Sequence, residues 1–337
     1  MRHTVKLGIG LALLSAACSD DARRTTGPAL PAPGLKPDFA ITASTHPAGN
    51  IAGTDTLRGR PFGLDISSSD VVYITRVDSA RLKRVNLPSF AFAGDVAVGS
   101  APSAVAFHPA GNTAWVTNQL SHTVGVINVA TNTQVRTIAI GGDPFVLAVK
   151  PDGGTIYVSN NNGKVFAFNA VTDQPVDTFS FTSPVNGLAF HPDGVRLYAS
   201  QLSNGTVSEI NTQTGTIARN FVIGGTTLQG VVVSKDGSEL YVADEGANVL
   251  RVVSVASGTQ TATVALGGGG FSVALSPDNV QLYVSLPASG VVKVIDRATR
   301  AIAKTIQTNG TPRRLAFSAA GETAAIANEA GWVDFVR

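Results

Sequence analysis

The chain has 337 residues, of which 44% are hydrophobic and 14% charged; this excludes disorder over most of its length and allows a large core. Lys and Arg number 25 and Asp and Glu 23, and without Arg2 and Lys6 of a predicted signal peptide the two signs balance at 23 each. A net charge near zero gives no electrostatic basis for binding nucleic acid or an anionic membrane surface.

The first residues have the order of a secretory signal. Arg2 and Lys6 precede an apolar run, Leu7 to Ala17, that ends in small residues. This run is too short for a transmembrane helix, which needs about 20 apolar residues. Residues 1–17 are therefore predicted to be a signal peptide.

Cys18 is the only cysteine, so it cannot form a disulfide within the chain. The segment LSAAC at 14–18 resembles the lipobox of bacterial lipoproteins, although Ser15 stands where that pattern prefers Leu. The resemblance implies a lipid on Cys18 and, because Ser19 follows it, transport to the outer membrane or cell surface. Plain secretion with an incidental cysteine is the alternative. Residues 18–45, with several prolines, are predicted to be a flexible tether.

A repeat with a period of about 42 residues occupies residues 46–337. Each copy has an apolar residue that begins a turn motif, as in FHPAG at 107–111 and VKPDG at 149–153. These anchors are 41, 42, 41, 43, 42 and 42 residues apart: Ile66, Phe107, Val149, Phe190, Val233, Leu275 and Phe317. A second marker keeps the same phase: Tyr73, Trp115, Tyr157, Tyr198, Tyr241 and Tyr283, with Ala325 in the seventh copy.

Each repeat contains four short segments of alternating apolar residues, separated by Gly, Pro, Asn and Asp. Four strands per repeat of this length are typical of a propeller blade. The sequence therefore predicts an all-β fold, a seven-bladed β-propeller of four-stranded antiparallel blades. The seventh copy stops after its third predicted strand. We expect an N-terminal strand, Asn50–Leu57, to complete the last blade and close the ring.

The motifs WVTN at 115–118, YVSN at 157–160, YASQ at 198–201 and YVAD at 241–244 resemble the YVTN-type repeats of bacterial and archaeal β-propeller proteins. The resemblance covers about residues 50–337. It implies the propeller fold strongly and an activity weakly, because members of that family include cell-surface and periplasmic proteins of unassigned role and their wider relatives include lactonases.

In propellers of this kind, the loops between blades and the loops from second to third strands share one face, where ligands usually bind. We predict a polar, mixed-sign binding surface there, formed by Arg60, Arg76, Asp78, Asn118, His122, Asp143, Asn160, Gln201, Asp244, Glu245, Arg313, Asn328 and Glu329.

The same face contains the candidates for metal binding and catalysis. Asp78, Asp143, Asp244, Glu245 and Glu329 carry oxygens of the kind that Ca²⁺ binds, but no linear calcium motif is present, so no cofactor is expected and Ca²⁺ stays an alternative. No zinc or copper site, G-x-S-x-G nucleophile motif or haem-attachment motif is found. His108 and His191 precede prolines in turns of the opposite face and are predicted to be structural.

Asp65 departs from the repeat, because the other copies have Ala or Val at its position. A charge among small packed residues needs a partner. Ring closure would bring the seventh blade beside it, so we expect an ion pair with Arg313 or Arg314.

The sequence favours a non-catalytic, lipid-anchored module of the cell envelope that binds a protein or glycan partner. Its basis is the predicted anchor and tether and the absence of a reactive constellation. The alternative is a lactonase-like hydrolase or lyase that uses a carboxylate, His122 or a divalent cation. A redox role with a bound quinone or copper is a further, less favoured option.

Overall fold

A computed structural model describes residues 59–337 and, ahead of them, two short strands, β1 (Leu30–Pro31) and β2 (Ala40–Ile41), which pair antiparallel. The predicted signal peptide 1–17, Cys18 and the predicted closing strand Asn50–Leu57 lie outside the described residues. Their assignments remain predictions.

Residues 59–337 form seven antiparallel sheets, each made of strands that are consecutive in the chain. Blade 1 contains β3 (Pro61–Ile66), β4 (Val71–Arg76), β5 (Arg81–Asn86) and β6 (Ala91–Ala97). Blade 2 contains β7 (Pro102–Phe107), β8 (Thr113–Asn118), β9 (Thr123–Asn128) and β10 (Thr133–Ala139). Blade 3 contains β11 (Pro144–Val149), β12 (Thr155–Asn160), β13 (Lys164–Asn169) and β14 (Pro175–Ser180). Blades 4 and 5 contain β15 (Val185–Phe190), β16 (Arg196–Gln201), β17 (Thr206–Asn211) and β18 (Thr216–Val222); and β19 (Leu228–Val233), β20 (Glu239–Asp244), β21 (Val249–Ser254) and β22 (Gln260–Ala265). Blade 6 contains β23 (Ser272–Leu275), β24 (Gln281–Leu286), a 3₁₀ turn (Pro287–Ser289), β25 (Val291–Asp296) and β26 (Ile302–Gln307). Blade 7 contains β27 (Pro312–Phe317), β28 (Ala324–Asn328) and β29 (Trp332–Val336).

The sheets are the blades of a closed ring. The first strand of each blade contacts the first strand of the next, and β27 of blade 7 contacts β3 of blade 1. Blade 7 has three strands within the part of the chain that the structure describes, whereas the other blades have four. The all-β, seven-bladed β-propeller predicted from the repeat is confirmed. Completion of blade 7 by an N-terminal strand stays a prediction.

Position in the blade explains the hydrophobic pattern of each strand. Second strands lie between two strands of their own blade and between neighbouring blades, so β4 is buried at every position. Fourth strands form the outer surface of the ring, and β10 exposes five of its seven residues. Second strands therefore contain a central run of buried apolar residues, while fourth strands carry polar residues. No helix among residues 59–337 is long and apolar enough to cross a membrane.

The two markers of the repeat meet at the interfaces between blades. Tyr73 of β4 stacks on Phe107 of β7, with ring centroids 5.0 Å apart, and Tyr157 of β12 contacts Phe190 of β15 edge to face at 5.5 Å. The aromatic residue of one blade thus packs on the anchor of the next, which explains why the two markers keep one period. Such pairs contribute about 0.5–1.5 kcal/mol beyond the burial of their surface.

The hydroxyl in the YVTN-like motif stabilises a bulge in the first strand. In blade 2 the pairing of β7 with β8 shifts register between Pro102 and Ala104. Thr117 Oγ1 accepts a hydrogen bond from the Ala104 amide at 2.9 Å, and in blade 1 Thr75 Oγ1 accepts one from the Gly63 amide at 2.8 Å. The hydroxyl therefore satisfies an N–H that the bulge removes from the sheet ladder.

Candidate functional site

The residues predicted to bind a ligand all lie at one end of the ring, which we call the loop face. Six are the last residues of second strands: Arg76, Asn118, Asn160, Gln201, Asp244 and Asn328. Four lie in the turns that follow those strands: Asp78, His122, Glu245 and Glu329. Three lie just before or at the start of first strands: Arg60, Asp143 and Arg313.

Two of the amides at the ends of second strands, Asn160 and Asn328, are buried and bonded to the neighbouring loops. Asn160 is fully buried. Its Nδ2 donates to the Gly141 carbonyl at 2.5 Å, and its Oδ1 accepts from the amides of Asn162 and Lys164 at 3.1 and 3.0 Å. Asn328 is also fully buried and bonds the loops on both sides of it in the same way. These side chains fix the loops and leave little surface for a ligand.

Two charged residues at the same strand position are also buried. Asp244 is fully buried; its Oδ2 lies 2.7 Å from Arg251 Nη2, and its Oδ1 accepts from the Ala247 amide at 3.1 Å. Arg76 is 7% exposed, and its Nε has no hydrogen-bond partner. Asp244 is therefore committed to an internal ion pair that orders the turn after β20.

Blades 1 and 7 bring four of the predicted residues together. Glu329 accepts hydrogen bonds from Arg60 Nη2 and, at 2.6 Å, from Arg313 Nε. The Arg60 amide donates to Asp78 Oδ1 at 2.9 Å. Glu329 is only 9% exposed at its side chain, so one carboxylate joins the two terminal blades of the ring and balances part of their positive charge.

His122 and Asp143 form the most accessible polar pair of the loop face. His122 Nδ1 lies 2.8 Å from Asp143 Oδ1, and the side chains are 56% and 36% exposed. Asn161 Nδ2 donates to the other carboxylate oxygen at 2.5 Å. Among the described residues, no serine or threonine hydroxyl is hydrogen-bonded to His122, so the pair has the base and its orienting carboxylate without a nucleophile.

A polar chain runs from the inner rim of the ring to the turn after β20. Asn186 Nδ2 donates to Gln229 Oε1 at 2.9 Å, and Gln229 Nε2 donates to Glu245 Oε2 at 2.6 Å. Glu245 is thereby placed beside the first strands of blades 4 and 5. Sequence reasoning identified Glu245 and missed Asn186 and Gln229, which face it from the innermost strands.

Three phenylalanines meet at the centre of the loop face. The Phe62 ring contacts Phe145 at a centroid distance of 6.0 Å and Phe271 at 5.6 Å, both edge to face. Because the rings come from blades 1, 3 and 6, they meet at the axis of the ring and line the central channel. Phe62 and Phe145 are the second residues of β3 and β11, and Phe271 directly precedes β23. This shared position in the repeat could have identified the three phenylalanines from the sequence, but they were not among the predicted site residues.

Two consecutive arginines of β27 contact these rings. Arg313 Cζ lies 5.4 Å from the Phe62 centroid and 5.0 Å from the Phe271 centroid. Arg314 Cζ lies 5.4 Å from the Phe145 centroid and 5.9 Å from the Phe271 centroid. Burial, followed by the charge of Arg313, lowers the pKa of Arg314 to about 10, so its guanidinium remains charged at neutral pH.

The predicted ion pair of Asp65 with Arg313 or Arg314 is wrong. Asp65 Oδ2 accepts from the Phe107 amide at 2.9 Å, and Oδ1 accepts from the Ile66 amide at 2.8 Å. The side chain therefore reaches blade 2, which follows it, and not blade 7. Burial raises the pKa of Asp65 to about 6, while these two backbone hydrogen bonds act in the opposite direction.

The opposite face has a pocket of about 370 Å³ between blades 5 and 6, lined in part by Glu239, Arg297 and Arg300. Both arginines are neutralised: Arg300 donates to Glu239 at 2.9 Å and Arg297 to Asp236 at 2.8 Å. This pocket therefore offers no free charge to a ligand.

The two predicted turn histidines also lie on the opposite face. His108 Nδ1 accepts from the Ala110 amide at 3.0 Å, and His191 Nδ1 accepts from the Asp193 amide at 3.1 Å. Each ring thus orders the turn in which it lies. Within residues 59–337, no three His, Cys, Asp or Glu side chains converge as a metal site would require.

The fold and the loop face define a seven-bladed β-propeller with a polar rim around an aromatic channel. No protein-family model matches the chain, and no curated protein matches it. Among solved structures, the chain is similar to a structure of Kuenenia stuttgartiensis hydrazine synthase, with a TM-score of 0.77 and 20% identity over 85% of this chain and 98% of that chain. At this identity the similarity concerns the fold alone.

Proposed function

We propose that the chain is a binding module of the cell envelope that presents its loop face to a protein or glycan partner. The observation that supports this most directly is the hydrogen bonding that holds several loops of that face. Buried side chains such as Asn160 and Asn328 are hydrogen-bonded to the loops beside them, so the exposed side chains are held in place before a partner binds. Such preorganisation lowers the entropy that is lost on association.

The part of the loop face best suited to a partner lies on blades 2 and 3. Leu120, in the turn after β8, is 65% exposed. The exposed pair His122 and Asp143 lies beside that turn. An apolar side chain with polar neighbours is the composition of a protein-binding surface, and the histidine and carboxylate also suit the hydroxyls of a glycan.

The test is capture from detergent-solubilised cell envelope with the tagged, full-length protein. The loop-face variant combines Leu120→Ser, His122→Ala and Asp143→Ala. The matched control changes the charged residues Lys150→Ala and Asp152→Ala on the opposite face, which pair at 2.8 Å. A partner retained by the parent and the control but not by the loop-face variant would support the proposal. Equal retention by all three proteins, or no specific retention, would contradict it.

The location in the envelope is also a proposal, because it depends on residues outside the described part of the chain. The lipobox-like segment before Cys18 and the resemblance to YVTN-type cell-surface proteins support a lipid anchor at the outer membrane or cell surface. We expect the parent to incorporate labelled palmitate and to partition into detergent, and Cys18→Ser to do neither. Partition of the Cys18→Ser variant with the membrane would contradict the anchor.

A lactonase-like hydrolase or lyase is the second candidate, and the His122–Asp143 pair favours it. The carboxylate 2.8 Å from Nδ1 would orient the imidazole as a base toward a solvent-exposed substrate. We expect no lactone hydrolysis above background, with or without added Ca²⁺. Turnover that is lost in His122→Ala or on addition of a chelator would establish the enzyme instead.

A further inference from the structure

Arg314 breaks the pattern of the innermost strands. Its position on β27 corresponds by strand register to small or apolar residues in the other blades: Gly63, Ala104, Val146, Gly187, Gly230 and Ser272. Arg314 contacts rings of blades 3 and 6 from its place on blade 7. Its guanidinium therefore lies near the axis of the ring, and Arg314 is the one charged residue at this strand position in the described blades.

This guanidinium has no neutralising partner within residues 59–337. Its Nε is enclosed and makes no hydrogen bond, and its Cζ lies over the rings of Phe145 and Phe271. The neighbouring Arg313 is different, because its Nε is bonded to Glu329 at 2.6 Å. An arginine that is desolvated by aromatic rings and unpaired is costly unless an anion accompanies it.

We propose that the central channel binds a small organic carboxylate, whose carboxylate group pairs with Arg314 beside Phe145 and Phe271. The guanidinium presents parallel N–H groups that match the two oxygens of a carboxylate. The carboxylate of Glu329 is shared by Arg313 and Arg60, so Arg314 has no carboxylate of its own among the described residues.

The phenyl rings favour a ligand in which the part beyond the carboxylate is apolar. Phe62, Phe145 and Phe271 contribute apolar walls, so a carboxylate with an apolar or aromatic body would bury more surface than acetate does. This channel site is separate from the exposed pair His122 and Asp143, and its proposal does not depend on the partner proposed for the loop face.

The test is calorimetric titration of the full-length, detergent-solubilised protein with sodium benzoate and with sodium acetate, at an ionic strength held constant with sodium chloride. We expect saturable binding of benzoate, weaker binding of acetate, and an increase in melting temperature that follows benzoate occupancy. Arg314→Gln should weaken benzoate binding at least tenfold, and Arg314→Lys should weaken it as well, because Lys keeps the charge but loses the planar pair of donors.

Arg136→Gln is the matched control, because Arg136 pairs with Asp173 on the outer surface and should leave benzoate binding unchanged. Arg314→Lys keeps the test valid if Arg314→Gln does not fold, as judged by circular dichroism. The proposal is overturned if the parent shows no saturable binding, if both Arg314 variants bind like the parent, or if inorganic phosphate or chloride binds as tightly as benzoate. Binding of benzoate that persists in the loop-face variant separates this site from the proposed partner surface.

Discussion

Blades 2 to 6 and the two terminal blades use the same repeat for different purposes. In the central blades, the repeat residues form the interfaces, as Tyr157 and Phe190 do between blades 3 and 4. In the terminal blades, some of the same positions carry exceptions: Asp65 in blade 1, and Arg314 and Ala325 in blade 7. Terminal repeats are commonly atypical. Two of these exceptions, Asp65 and Arg314, place charged side chains on the innermost strands. The positions that depart from the repeat therefore identify these charged sites better than the repeated positions do.

The largest expected effect concerns the outer edge of blade 7. Deletion of residues 50–57 should lower the melting temperature by roughly 10 °C, because loss of several kcal/mol of edge pairing corresponds to about 2–4 °C per kcal/mol in a domain of this size. Scanning calorimetry measures it, with deletion of residues 42–49 as a control of equal length. If both deletions have the same small effect, residues 50–57 do not complete the blade.

An ordinary interface should be nearly as sensitive. Tyr73→Ala removes a fully buried ring that stacks on Phe107, and we expect a loss of about 3–5 kcal/mol in the free energy of unfolding. Denaturant titration checks this, with the exposed Val222→Ala as the control. A loss below about 1 kcal/mol for Tyr73→Ala would show that the stacked markers do not hold the blades together.

Asp65 should make stability depend on pH. Its pKa is about 6 in the folded chain and 3.8 in the unfolded chain, so the folded state binds more protons between these values. The contribution of this group is therefore present below pH 4 and lost as the pH rises to 6, by at most about 3 kcal/mol.

The pH dependence is tested with Asp65→Asn, which keeps one carbonyl acceptor and cannot ionise. The difference in unfolding free energy between this variant and the parent should move in favour of the variant as the pH rises from 4 to 6.5. Denaturant titrations across that range measure the difference. A constant difference would mean that Asp65 does not titrate there.

The hydroxyl of the YVTN-like motif should have a moderate effect. Thr117→Val keeps the shape of the side chain but leaves the Ala104 amide of the bulge without its acceptor, so we expect a loss of about 1–3 kcal/mol. Thr133→Val, at an exposed position of β10, is the control and should change the stability little. Equal stability of the two variants would remove the structural explanation of this motif residue.

The smallest effect should be that of the exposed pair. Asp143→Ala should change the free energy of unfolding by less than about 1 kcal/mol, because an exposed ion pair contributes little. The same variant should weaken partner capture. Asp143 would then contribute to binding without contributing much to the stability of the fold. A large loss of stability would instead assign Asp143 to the structure of the loop face.

The site was predictable only in part, as individual side chains show. The repeat phase placed His122 and Asp143 on one face, and the structure brings them within 2.8 Å. The same reasoning placed Asn118 and Asn160 there, but could not show that they are buried, because burial depends on the loops that fold over the ends of the second strands. Asp65 was assigned to the wrong neighbour, because its side-chain direction depends on the twist of β3 between two blades.

The sequence by itself determined the period, the number of blades and the all-β class, since these follow from local turn chemistry and from alternation that recurs in every copy. Only the tertiary structure decided which residues share the axis. Phe62, Phe145 and Phe271 are far apart in the chain and meet because the ring closes. Arg314 has no counter-charge among the described residues, where Glu329 pairs with Arg60 and Arg313. Contacts at the axis depend on all blades together, so no single repeat contains the information.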